Sequence, residues 1–308
     1  MGQGTLHSLR NRGLRNRVEG QRSKRGASPI WFPVVLCLVG LSWVVGNLKA
    51  DASQRGFTQL DASRLSLSLP SGTRGLPKDW TEMLAVKLSR LGELTIQDEV
   101  LVDRICAEIA ALPFVREVGG ARVLWPDGVS VDVRLREPVA CICLGDQYLP
   151  VSADGMILPS SWPEPPDFGR GLLPVIGPVD RTFQHAMPGD RLEEARHLDG
   201  LSVAVSMREH LSLQDLHALG PVVIDATDAP RAAVNVAGTH LYLADARDVY
   251  FGLPPSYDSP GELPEAHKWH SIMEAVELLL RPHGQIQDWD LLDARWDTPT
   301  LRPRTGYQ

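Results

Sequence analysis

The residues that could do chemistry are few and widely spaced. His267 and His270 stand three positions apart on a predicted helix, where they could share a metal ion, but no third ligand pattern accompanies them. Asp293 could act as a carboxylate base, but it has no evident catalytic partner, and a structural role at the end of a strand is favoured. The chain also has no glycine-rich phosphate loop and no nucleophile elbow. The sequence therefore predicts a protein that is not an enzyme and that uses no metal, cofactor or small-molecule substrate.

The four cysteines do not have the spacing of a disulfide framework. Cys37 lies in an apolar run and Cys106 on a predicted helix, whereas Cys141 and Cys143 alternate along a predicted strand and so share one face. In an oxidising compartment Cys106 could pair with Cys141 or Cys143. Free, buried thiols are the favoured alternative.

An uncharged run from Ile30 to Leu48 follows the most basic part of the chain. Nineteen residues at 1.5 Å per residue can cross a bilayer as a helix. The positive-inside bias then predicts a cytoplasmic tail at 1–28, a single-pass anchor at 29–49 in the inner (cytoplasmic) membrane, and extracytoplasmic residues beyond it. A cleaved signal peptide is the alternative, because Ala50-Asp51-Ala52 offers small residues. The long basic lead and Lys49 favour an uncleaved anchor.

Charge restricts the partners of the outer region. Residues 1–28 carry seven Arg and Lys against one Glu, so the rest of a chain of net charge −7 carries −13. A region this acidic repels nucleic acid and anionic lipid. Nucleic acid is therefore not an expected partner of this region.

Periodicity predicts a small α+β unit after a linker at 50–63. The order over residues 64–136 is strand, helix, helix, strand, strand. The two helices carry apolar stripes, namely Trp80, Leu84, Leu88 and Leu91, then Leu101, Ile105, Ile109 and Leu112. Thr95 and Asp98 form a candidate capping box. Ala121, Val123 and Trp125 alternate on the next strand, and Pro126-Asp127-Gly128 predicts a tight turn after it. Ile109 and Trp125 are expected in the core because each lies on an apolar stripe.

The region from Glu137 onward changes to short strands and turns with two helices. A hairpin is predicted from 139–144 and 148–151, and 155–158 continues it. Helices are predicted at 191–211, weakened by Gly200, and after Pro264. The other predicted strands are 222–225, 232–236, 241–243, 248–251 and 286–296.

Several motifs in this order resemble the bacterial cell-division family FtsQ/DivIB. The most specific is Arg136-Glu137-Pro138-Val139-Ala140, similar to the family's exit from its POTRA domain. The other matching stretches are 112–118, 123–128, 148–157, 249–252 and Leu292-Asp293-Ala294-Arg295-Trp296. The resemblance covers about three quarters of the chain. It implies an α+β fold with a POTRA domain at 64–140, a mixed β-rich domain at 141–301 and a tail at 302–308.

The resemblance also implies a non-catalytic scaffold of the septum machinery. Such a scaffold recruits FtsB- and FtsL-like single-pass partners through its outer domains. Another POTRA-containing envelope protein of secretion or transport is the alternative, and an anchored extracytoplasmic hydrolase is a third reading that lacks a nucleophile–base pair.

The family's final strand accepts a strand from its partner, so the resemblance points to the end of this chain. One edge strand is expected from Leu291 through Trp296 to Leu301, with the partner-binding residues Trp296, Thr298, Thr300 and Leu301. Trp296, Thr298 and Thr300 share one parity, and Trp296 is the candidate anchor. Pro299 lacks an N–H, so either the partner strand pairs mainly before it or the N–H side of Pro299 faces away from the partner. The alternative is that Trp296 covers the core.

Overall fold

The computed structural model describes residues 31–54, 59–60, 65–69, 76–91, 94–95, 100–124, 128–167, 169, 171–177, 186–257, 262–280 and 289–304. The predicted tail at 1–28, Trp125 and most of the predicted Pro-Asp-Gly turn lie outside these residues. The helices are α1 Trp31–Gln54, α2 Lys78–Ser89, α3 Leu101–Ala110, α4 Ala195–His210, α5 Leu213–Leu219 and α6 Glu265–Leu280.

The strands form three separate sheets. They are β1 Gln59–Leu60, β2 Leu65–Ser68, β3 Leu94–Thr95, β4 Val115–Leu124, β5 Gly128–Leu135, β6 Pro138–Leu144, β7 Gln147–Ser152, β8 Val175–Gly177, β9 Val223–Asp225, β10 Thr239–Leu243, β11 Arg247–Gly252, β12 Trp289–Asp293 and β13 Thr300–Pro303. The fold is therefore mixed α+β and rich in sheet.

The α1 helix is long and apolar enough to span a membrane. Its window Val34–Asp51 has a mean hydropathy of 1.5, and it is the one such helix among the described residues. The helix continues to Gln54, past the predicted end of the anchor. Residues 1–56 form one compact unit, and residues 57–308 form a second.

A three-stranded sheet with two helices forms the first part of the second unit. Its order is β2-β5-β4, with β2 parallel and β4 antiparallel to β5. The apolar stripes of α2 and α3 are both buried, in one cluster with Val129, Val131 and Val133 of β5. The predicted order of strands and helices and the core position of Ile109 are confirmed.

Two local predictions in this region are wrong or incomplete. The predicted linker contains β1, which pairs with β3. The predicted capping box does not start α3, because Thr95 lies in β3 and the helix begins after Val100 with no side-chain cap, while Asp98 lies outside the described residues. Val123, one of the alternating residues of β4, is 41% exposed.

An eight-stranded mixed sheet forms the second part. Its order is β13-β12-β11-β10-β9-β8-β6-β7, and the predicted hairpin is β6–β7. Helix α4 packs on β6, β8 and β9, while α4 and α5 both contact α6. Gly200 allows this approach, since a Cβ there would lie 3.1 Å from Ile176 Cγ2. The helices thus bury one face of the sheet.

The prediction of two helices and a strand at 232–236 in this part is wrong. A third helix, α5, begins at Ser212, whose hydroxyl accepts from the Asp215 N–H while the Asp215 carboxylate accepts from the Ser212 N–H. Residues 232–236 form a tight loop closed by Ala233 and Val236, because each of these residues donates its N–H to the other's carbonyl.

The two sheets are joined by a buried junction. Arg136, 12% exposed, binds the Asp154 carboxylate and the carbonyls of Pro113 and Val115. Trp80 donates its indole N–H to the Pro159 carbonyl at 2.9 Å, and Leu158 packs into the core of the three-stranded sheet. The Arg-Glu-Pro segment therefore connects the two sheets covalently and through its side-chain hydrogen bonds.

Candidate functional site

The end of the chain forms a hairpin, not one continuous strand. After β12 the backbone turns through residues 294–299 and returns as β13, antiparallel to β12. Strand β12 is thus paired on both sides, with β11 and β13, and β13 is the edge of the sheet. The predicted edge strand from Leu291 to Leu301 is wrong in this respect, because the edge is Thr300–Pro303.

Strand β13 is open to solvent along its whole length. All four of its residues are exposed, and backbone groups of an edge strand that point away from the sheet have no ladder partner. Pro299 precedes β13, so its missing N–H falls in the turn and does not interrupt pairing along Thr300, Leu301 and Arg302. The expected block at Pro299 therefore does not apply to β13.

The four predicted partner-binding residues surround this edge. Trp296 and Thr298 lie in the turn and are exposed, Trp296 by 46%, so Trp296 does not cover the core. Thr300 pairs with Asp293, whereas Leu301 pairs with the buried Leu292 and is 42% exposed. The prediction of a shared strand parity is wrong, because two of its three residues belong to the turn.

Arg295 fixes the geometry of the turn with all five of its N–H donors. Two donors bind Asp293 in a bidentate pair, Nε to Oδ1 at 2.8 Å and Nη2 to Oδ2 at 2.7 Å. The other three bind the carbonyls of Ala233 at 2.8 Å, Val236 at 3.0 Å and Val234 at 3.3 Å. A guanidinium has five donors, so its hydrogen-bonding capacity is used within the chain.

This network changes the titration of its charged groups. Burial alone would raise the pKa of Asp293, but hydrogen bonds from Arg295 and Trp296 outweigh it and the pKa is lowered. The hydrogen bond with Asp293 raises the pKa of Arg295. Both groups are therefore charged at neutral pH, as in a strong charge-assisted pair.

Two glycines allow the close approach of the segments around Arg295. Gly252 has a φ of +91°, and a Cβ there would lie 3.1 Å from Arg295 Cγ and 2.6 Å from Glu262 Oε1. Gly238 has a φ of +77°, and a Cβ there would lie 2.7 Å from the Gly252 carbonyl oxygen. A larger residue at Gly252 would press on Glu262 and Arg295, and one at Gly238 would press on Gly252 and Ala232.

A buried lysine lies near the segments that surround Arg295. Lys268 is 1% exposed, forms an ion pair with Glu262, donates to the Leu253 carbonyl at 3.2 Å and lies 4.7 Å from the Phe251 ring centroid. Burial lowers the pKa of Lys268 against the opposing effect of Glu262. These contacts connect α6 to the end of β11.

The face of β10 and β11 opposite the buried Leu241 and Val249 carries a stacked polar and aromatic row. His240 lies 5.7 Å from the Tyr242 ring, stacked, and 5.0 Å from the Tyr250 ring, edge-on. Its Nδ1 is 3.1 Å from Asp248 Oδ1, and this contact raises the pKa of His240. Arg295 continues the row, because its Cζ lies 5.6 Å from the Tyr250 ring and 5.5 Å from the Trp296 ring.

The candidate metal and redox residues do not converge. Within the described residues no group of three His, Cys, Asp or Glu side chains could hold a metal ion, so His267 and His270 gain no third ligand there. All four cysteines are free thiols. Burial raises the pKa of Cys141 to about 12, which makes it a poor thiolate.

The sequence did not predict that the loop at 232–237 binds Arg295. The sequence offers one signal, the Asp293-x-Arg295 spacing, which allows an adjacent carboxylate to hold a guanidinium. It does not identify the loop carbonyls, which lie about sixty residues upstream. No protein-family model matches the chain, and no curated protein matches it significantly.

Proposed function

We propose that this protein is a non-catalytic scaffold anchored in the inner membrane, with a cytoplasmic tail and extracytoplasmic domains that recruit single-pass partners to the septum machinery. The observation that carries the proposal is the solvent-exposed outer edge of β13, which pairs with no second strand among the described residues. A partner strand added there would complete the sheet, with main-chain hydrogen bonds giving affinity and side chains giving specificity.

Other features support the same assignment. The order of elements from β2 to β5 is compatible with a POTRA domain, and the FtsQ/DivIB-like motifs occur at the sheet junction and at the Asp-x-Arg turn. The natural partners are then FtsB- and FtsL-like proteins. The length and apolar composition of α1 support the anchor, and the basic residues before it support a cytoplasmic tail.

The edge has side chains suited to an interface. Trp296 and Leu301 are large apolar residues, exposed by 46% and 42%, at an otherwise polar edge. Aromatic side chains of this kind are frequent among residues that dominate binding energy. Trp296→Ala should therefore weaken capture of a partner by about tenfold or more.

Backbone pairing is tested by proline substitution in β13. Successive N–H groups along a strand point to opposite sides. One of the two variants Leu301→Pro and Arg302→Pro therefore removes an N–H that points away from the sheet. That variant should lose short single-pass proteins from a pull-down of the full-length anchored chain. The controls Leu301→Ala and Arg302→Ala keep the backbone donor, so each should lose less capture than the proline variant at the same position.

Leu292→Pro is unsuitable for this purpose. Leu292 is 1% exposed in a strand paired on both sides, so the change would disrupt the sheet itself. Wild-type capture by both β13 proline variants would refute strand addition. Recovery of secretion or transport components in place of short single-pass proteins would favour the alternative envelope function.

A further inference from the structure

An apolar side chain is exposed to solvent on the loop that Arg295 holds. Val234, at the tip of the 232–237 loop, is 77% exposed. The loop is closed by the reciprocal hydrogen bonds of Ala233 and Val236, at 3.0 and 3.1 Å, and is held by three carbonyl contacts to Arg295. Val234 is thus displayed on a rigid support.

Trp296 is held by the same guanidinium. The Val234 carbonyl oxygen is 3.3 Å from Arg295 Nη2, and Arg295 Cζ is 5.5 Å from the Trp296 ring. Because Nη2 and Cζ of Arg295 are joined by one C–N bond, the Val234 carbonyl oxygen lies within about 10 Å of the Trp296 ring. The loop tip and the indole are therefore both held by Arg295, in the turn before β13, and each is more than two fifths exposed.

The charge at this position is not available to a ligand. All five donors of Arg295 are used by Asp293 and the loop carbonyls, so an incoming carboxylate would have to displace a formed bond. An apolar group instead gains by covering exposed valine and tryptophan surface without breaking any of these bonds.

We propose that Val234 and Trp296 form a two-sided apolar contact that selects a large apolar side chain, and rejects an acidic one, in the partner segment flanking the strand that pairs with β13. This inference rests on the proposed function and adds the chemical class of the partner residue. Arg295 is the positioning residue of the contact, since it holds both the loop and the turn.

The test uses fluorescein-labelled peptides with the full-length chain in detergent micelles. Each peptide has an alternating Thr and Val strand and one flanking guest residue, either Leu, Phe, Glu or Lys. Binding is followed by anisotropy. The Leu and Phe peptides should bind wild type about tenfold more tightly than the Glu peptide, as expected for burial of one apolar side chain.

Substitutions assign this preference to the loop. Val234→Asp should remove most of the preference for Leu and Phe, and Val234→Lys should improve binding of the Glu peptide. The matched control is Val223→Asp, another exposed valine, which lies on β9 four strands from the edge and should leave the preference unchanged. Arg295→Lys should reduce the preference as well, because an ammonium cannot make five planar contacts.

Each other outcome overturns a defined part of the argument. Equal binding of Glu and Leu peptides to wild type, or an unchanged preference in Val234→Asp, overturns the apolar contact alone, provided that the peptides still lose affinity in a β13 proline variant. If no peptide binds wild type, or binding is insensitive to the β13 prolines, the proposed strand addition fails and this inference fails with it.

Discussion

Replacing Ile109 by Ala should destabilise the protein by about 3–4 kcal/mol. Ile109 is 1% exposed, on the apolar stripe of α3 and in the cluster that packs against β5. The change deletes three buried carbon groups, worth about 0.8 kcal/mol each, and leaves a cavity that adds to the loss. With a urea m-value of about 2 kcal/mol/M, the midpoint of the affected transition should fall by about 1.5–2 M.

The assay is urea unfolding of the full-length chain in detergent, followed by circular dichroism. A fragment limited to residues 60–140 would be a poor host, because it lacks Leu158 and the carbonyl that accepts from Trp80. Val123→Ala is the matched control. Val123 is 41% exposed, so its truncation should cost less than about 0.5 kcal/mol. Equal midpoints for the two variants would refute the packing of α3 against the sheet.

Two further predictions concern pH and topology. The raised folded-state pKa of His240 means that its pair with Asp248 stabilises the fold below the unfolded pKa of about 6.5 and loses this contribution as pH rises through the folded value. Asp248→Asn should therefore cost about 1 kcal/mol more at pH 5.5 than at pH 9 in chemical unfolding, and a cost independent of pH would contradict the ion pair. For topology, Thr305→Cys in a cysteine-free background should react with an impermeant thiol reagent in intact spheroplasts, whereas labelling only after lysis would reverse the proposed orientation.

The helices and the first sheet could be predicted because their signals are local. Leu101, Ile105 and Ile109 recur at helical spacing, and a helix with such a stripe must bury it against something. Helix α5 was missed because seven residues are too few to show a period, although the Ser212 and Asp215 capping pair was readable. Gly200 weakens a helix by propensity but allows α4 to lie close to Ile176, a benefit visible only in packing.

The sequence predicted a sheet edge at the end of the chain, but not its geometry. The residues predicted there all lie around the end of the sheet, yet alternation alone could not distinguish one long strand from two strands joined by a turn. Such a distinction depends on which neighbour satisfies the backbone. Here β12 is paired on both sides, and β13 is left as the edge.

The amino-acid sequence by itself determined the apolar N-terminal helix, the amphipathic helices and the position of the Asp-x-Arg pair, because each depends on residues a few positions apart. Only the tertiary structure decided where Arg295 directs its donors. Three of them bind carbonyls about sixty residues upstream, and these bonds hold the loop that carries the exposed Val234. Contacts at this separation have no local pattern, since they depend on how the strands between them pair.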